Sequence, residues 1–208
     1  TLENGKLEST SGTLILRKGA TQSELFEFDL GASTLRLGDD YTNSGELLSS
    51  SATLDLLDNL TLTSDSALSF NQLNLDNLTL ILGSESSDLQ VSSALILDNS
   101  NERVMTGEAD FVSLGSLDIS GGGVISKSGT INFSGGGQLS GTGKLDVSGS
   151  TWVLGGDFVK DNGTLTSSGT LTLSETDLAL SGNSTLTSDV ALSFVNLNLN
   201  DFTLTLGS

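Results

Sequence analysis

Leucine or phenylalanine stands at every second position in short runs throughout this chain: "LDL", "LTL", "LSF", "LNL", "LTLIL". Alternation of period two sends successive side chains to opposite sides of an extended backbone, apolar on one side and Ser, Thr, Asn or Asp on the other. The runs last three to five residues and are separated by Gly, Asn, Asp and Ser, which tolerate turn conformations. No stretch shows helical periodicity. "LDNLTL" occurs at 57–62 and, eighteen residues on, at 75–80, and Asn183 and Asp201, before "STLT" and "FTLT", share that spacing. Elsewhere related phrases return after about 19–22 residues.

Three such strands and three turns occupy one spacing. The expected fold is therefore all-β: a single-stranded β-solenoid (β-helix) of about ten coils, 18–21 residues per coil, right-handed, each coil about 4.8 Å from the next. A β-sandwich tandem fits less well. Its strands recur every 8–12 residues, and "LNLDNLTL" leaves about five between strand centres. The absence of proline (Pro 0) has the same origin, because each strand bonds to the coils on both sides and a residue without an N–H breaks a ladder. Asn59 is expected to stack over Asn77 as an amide ladder, and Phe70 and Phe194 to occupy equivalent core places.

A longer repeat overlies the short one. At a shift of 117, Asp29 aligns with Asp146, Ser33 with Ser150, Leu35 with Trp152, Leu37 with Leu154, Asp40 with Asp157 and Tyr41 with Phe158. After one inserted residue Gly45 meets Gly163 and Leu47 meets Leu165. After a further slip, residues 50–84 and 174–208 agree at roughly 60% of positions. The chain thus reads as one continuous solenoid, 1–208, with a unit at 28–84 repeated at 145–208, cut from a longer array. Six rungs would account for the unit.

Charge excludes several classes. With 26 acids against 8 bases the net charge is −18, which repels phosphate and makes nucleic acid and anionic lipid poor partners. No window approaches the ~20 apolar residues of a membrane span, and the opening "TLENGKLEST" is not a leader. With no His and no Cys, Ser-His and Cys-His nucleophile systems, disulfides and thiolate zinc sites are absent.

The remaining chemical motifs are faint. Carboxylate pairs such as Asp157 with Glu175 or Asp39 with Glu46 can be drawn, but a solvated turn explains each acid. "GDDYTNSGE" (38–46) places Asp39, Tyr41, Asn43 and Gly45 in a loose imitation of an oxygen-ligand loop. Tyr41 interrupts it, so weak calcium binding to the acidic surface is expected rather than a dedicated site. "GGGQLSGTGKL" (135–145) has five residues between Gly137 and Gly143 and Leu145 after Lys144, which fails the P-loop pattern and reads as a turn. Asn-x-Ser/Thr sequons at Asn59, Asn77, Asn132, Asn162 and Asn183 follow from composition. Thr-x-Thr occurs at Thr61/Thr63, Thr164/Thr166, Thr170/Thr172, Thr185/Thr187 and Thr203/Thr205. Stacked outward pairs, Thr185/Thr187 beside Thr203/Thr205, would resemble the flat face of ice-binding solenoids, although threonine is also simply a good exposed strand residue.

"GTLTSSGTLTLS" (163–174), "GKLDVSGSTWVLGGDF" (143–158) and "SGTLIL" (11–16) resemble bacterial surface β-solenoids, specifically autotransporter passenger repeats and filamentous-haemagglutinin-like adhesins. The likeness covers most of the chain as a style of repeat. It implies secretion to the cell surface or extracellular matrix and a role as stiff stalk, adhesin or fibre subunit, and it carries over no functional residue. No catalytic, cofactor-binding or metal residue is assigned, and an enzyme is not expected. The expected partners are flanking repeats of the same chain or copies of itself end to end. Cell-surface glycans are a further alternative, but Trp152 and Tyr41 align with Leu35 and Phe158 as core positions rather than as an exposed sugar platform.

Overall fold

The structure, a computed structural model, describes residues 1–147, 150–160, 170–172, 177–180, 184–188 and 194–207. Among these there is no helix, and the paired strands run parallel, each to strands one coil away. The chain winds as a β-solenoid with three faces. The first carries a three-stranded sheet (Gly5–Glu8, Phe26–Asp29, Glu46–Leu48) and then a seven-stranded one opening at Leu68–Phe70. On the second, a four-stranded sheet (Thr13–Leu16 to Gln72–Asn74) gives way to six strands from Leu95–Leu97. The third is one unbroken eight-stranded sheet from Ala20–Gln22 to Thr170–Thr172. Its eight strands span about seven turns, or roughly 34 Å at 4.8 Å per coil, so the expected ten coils are an approximate count.

Coil length varies more than phrase spacing suggests. Leu54 pairs with Leu35 and with Leu73, nineteen residues away on each side, and Leu60 pairs with Leu80, twenty away. Leu80 pairs with Val104, twenty-four away, because residues 98–102 add an outward loop at that corner.

The two "LDNLTL" phrases therefore do not stack letter on letter. Leu60 sits over Leu80 rather than Leu78, a slip of two residues. An even slip keeps every leucine on the core side, which is why it is tolerated. The expected Asn59–Asn77 ladder does not form, and the Asn59 side-chain Oδ1 instead accepts the Thr79 N–H at 2.7 Å. Asp76 and Asn77 turn the chain with left-handed φ of 47° and 68°, closed by Leu78 N–H to Leu75 O at 3.0 Å. Asn200 and Asp201 repeat the turn in swapped order, with φ 48° and 65°. Short Asx side chains are the non-glycine residues that tolerate this region, so either order serves.

The larger duplication does not return to the same face. Leu35 lies on the second face and Trp152 on the first; Tyr41 lies on the third and Phe158 on the second. Trp152 comes seventeen strands after Leu35, one strand short of the six coils expected. Local pairing is nevertheless kept: Leu35 pairs Leu54 and Leu54 pairs Leu73, as Trp152 pairs Leu178 and Leu178 pairs Leu197. A strand senses only the coils directly above and below it. A unit can thus be copied at any multiple of one strand.

Inside runs a single apolar column from Phe28 to Leu180. Trp152, fully buried, meets Phe158 edge to face at 5.0 Å and Phe133 at 6.1 Å between ring centroids. Phe194 packs against it at 6.5 Å and is partly buried, whereas its counterpart Phe70 is fully buried. Tyr41 is also a core residue, as its alignment with Phe158 implies. Its hydroxyl donates to the buried Gln22 side chain, whose amide donates to Phe26 O at 2.8 Å and Glu46 O at 2.9 Å. Burial pushes the Tyr41 phenol far above its ordinary value. Gln22, Asn43 and Ser64 share one inward column in register, with Asn43 donating to the Ser64 hydroxyl at 3.0 Å.

Candidate functional site

At the corners of the coil, short acids and amides perform a recurrent structural task. Asp40 accepts the Thr61 N–H at 2.6 Å, Asp88 the Asp110 N–H at 2.9 Å, and Asp110 the Thr130 N–H at 2.5 Å. Each carboxylate reaches one coil forward to a backbone donor at or next to the start of a strand. This accounts for a good part of the turn acidity without any ligand.

The faint motifs dissolve into this scaffold. Asp39 precedes the strand Tyr41–Asn43 and Glu46 opens the next strand, so the two stand at opposite ends of one strand. Glu175, and with it the pair with Asp157, lies outside the described residues. In the 38–46 stretch Tyr41 and Asn43 point into the core, which removes two of the four oxygen positions of the loose calcium loop. No group of three acids among the described residues is arranged to hold a metal ion. Residues 135–145 form a strand (Gly137–Leu139), a corner and the start of a second strand (Lys144–Asp146). Of the sequons, Asn59 and Asn77 are exposed at corners, Asn132 faces outward in Thr130–Phe133, and Asn162 and Asn183 lie outside the described residues.

The threonines form columns one residue wide. Thr21, Thr42 and Thr63 stack on the third face, and Thr13, Thr34 and Thr53 on the second. Beside Thr63, Thr61 is followed by Ile81. Thr185 pairs with Thr205 and Thr187 with Gly207, again a two-residue slip from the expected Thr203/Thr205 match. Thr164/Thr166 lie outside the described residues. A two-wide threonine array does not occur among the described residues.

One surface feature stands apart from the acidic background. Arg103, Gly123 and Lys144 follow one another in register at the edge of the third face, so a residue with no side chain separates two cations. Around them lies a groove of about 450 Å³ lined by Ser100, Arg103, Gly121, Gly122, Ile125, Thr142 and Lys144. Its bare floor is enforced by packing. A Cβ on Gly121 would stand 2.0 Å from Asp98 O, and one on Gly122 2.2 Å from Glu102 O.

Glu102, next to Arg103 in sequence, faces away and is only 7% exposed. Its carboxylate accepts the backbone N–H groups of Asp98 (2.9 Å), Asn99 (3.0 Å) and Asn77 (3.2 Å), pinning the 98–102 loop to the coil before it. Burial alone would raise this carboxyl, but those hydrogen bonds outweigh it and hold the group below its ordinary value of 4.5. A depressed carboxyl contributes stability that is complete above the ordinary value and lost as pH falls through the folded one. Glu102→Gln turns an amide NH₂ toward backbone donors and is expected to cost about 1–3 kcal/mol at neutral pH. Urea unfolding of both proteins across pH should show that gap constant near neutrality and narrowing below 4.5. A pH-independent gap would mean that the charge does not hold the loop.

Little in the sequence announced the groove or the clamp. The only signal was "GGG" at 121–123, one coil after the Asx-rich stretch 98–101. Comparison with protein-family models, with curated proteins and with solved structures finds no match for this chain.

Proposed function

We propose that this chain is a structural or adhesive segment of a secreted bacterial surface or extracellular-matrix protein, serving as a stiff stalk or fibre subunit. The observation that carries this reading is the eight-stranded sheet running without a break along the third face, over one apolar column. Bending such a rod requires stretching a parallel ladder on one side and compressing packed side chains on the other. The net charge of −18 supports the reading by opposing lateral association of exposed sheet edges. The repeat style shared with autotransporter passengers and filamentous-haemagglutinin-like adhesins supports surface display.

Partners at the coil surfaces follow from the duplication. Leu73, Leu75 and Leu82 are 8%, 3% and 4% exposed beneath the coil that follows them. Their counterparts Leu197, Leu199 and Leu206 are 52%, 41% and 68% exposed. This surface suits a further parallel coil, from the same chain or from another copy. Electron microscopy of the purified chain, with and without calcium, tests the reading. Rods of roughly 35–50 Å, or filaments with a repeat near 5 Å, are expected, unchanged by calcium. Globular particles would overturn it.

A further inference from the structure

We infer that the groove between Arg103 and Lys144 binds a carboxylate, and that its ligand is a uronic-acid residue of an acidic polysaccharide. The charge argument comes first. On a chain of net −18, two of eight bases converge on one groove. Arg103 forms no ion pair among the described residues; it donates to Ser100 O at 3.2 Å, a neutral carbonyl that leaves most of the guanidinium donors open. The acid beside it in sequence, Glu102, is committed to backbone amides on the inner side of its loop. Lys144 is partly balanced by Asp146 at 3.5 Å. Arg103 therefore supplies the bidentate partner for a carboxylate, and Lys144 a point charge on the other side of the gap.

The glycines explain why a ligand fits. Arg103 and Lys144 start two coils apart, about 9.6 Å along the ladder, and Gly123 between them contributes no side chain to fill the space. A Cβ there would approach Lys144 O to 2.7 Å. The groove volume of about 450 Å³ falls in the range of small-molecule sites, about 300–1,000 Å³.

The lining then selects the class. Ser100 and Thr142 offer hydroxyls for sugar hydroxyls, and Ile125 offers one apolar patch for the C–H face of a ring. The net charge of −18 opposes every polyanion, but a short uronate oligomer brings only a few negative charges and meets less of that repulsion than a long nucleic acid does. This site is independent of the rod reading, since a stalk needs no ligand.

The test is a titration of the isotopically labelled chain with a trimer of galacturonic acid, followed by amide chemical shifts. A neutral galactose trimer and sodium sulfate serve as comparisons. Shifts confined to Arg103, Gly121, Gly122, Gly123, Thr142 and Lys144 are expected, with affinity falling severalfold between about 50 mM and 500 mM salt. Arg103→Gln should weaken binding at least about tenfold and Lys144→Gln about threefold. Both side chains are exposed, so circular dichroism should show both variants folded. Equal binding of the neutral trimer, sulfate binding as tight as the uronate, shifts elsewhere, or an unchanged Arg103→Gln variant would each overturn the proposal.

Discussion

Trp152→Ala is expected to destabilise the chain by about 3–5 kcal/mol, the upper range for loss of a large buried side chain. The indole is fully buried, pairs in register with Ile131 above and Leu178 below, and touches Phe133, Phe158 and Phe194. Coils held by parallel ladders cannot close in on the space it leaves, so the cavity persists. The loss should be read by far-ultraviolet circular dichroism in urea, because Trp152 is the only tryptophan and its removal silences indole fluorescence. Trp152→Leu should recover part of the loss, since Leu35 fills the aligned position with full burial. A Trp152→Ala cost below about 1 kcal/mol would place the residue outside a packed core.

Gly45→Ala is expected to cost about 3 kcal/mol, at the high end for overpacking. A Cβ on Gly45 would stand 2.3 Å from Phe26 O and 2.4 Å from Ser23 O, both backbone atoms of the preceding coil. Here glycine is required by close approach of two chain segments. Relief would need the coils to separate, which breaks ladder bonds on both sides of the corner. Ser44→Ala, one residue away, is the comparison and should change stability little. Thermal unfolding of the pair gives the answer, and equal midpoints would show that the corner yields without strain. Gly45 was visible in the sequence as the partner of Gly163, although nothing there said which backbone it touches.

How far the sequence could be read differs by feature. The alternation of leucine with Ser, Thr, Asn and Asp identified strands and core together, because a strand's inside and outside follow from its own residues. Tyr41 and Trp152 were legible as core for the same reason. The inward polar column of Gln22, Asn43 and Ser64 breaks the pattern. Gln22 and Asn43 donate to the next coil, to Glu46 O and the Ser64 hydroxyl, while the Asn43 side-chain oxygen is buried without a hydrogen-bond partner. The groove was hidden more completely. Arg103, Gly123 and Lys144 are far apart in sequence, and their alignment depends on the lengths of the two coils between them, twenty residues from Arg103 to Gly123 and twenty-one from Gly123 to Lys144.

By itself, then, the sequence determined that this protein is a parallel β-solenoid with a leucine-rich interior and a duplicated unit. Those properties reside in period-two alternation, turn residues and the lack of proline, all local to a few positions. Only the tertiary structure decided the register: the two-residue slip of "LDNLTL", the rotation of the second copy by one face, and the meeting of two cations across a bare glycine. Register depends on how many residues each corner consumes to close a coil. That number is set by packing against the coil before it, and similar phrases do not reveal it.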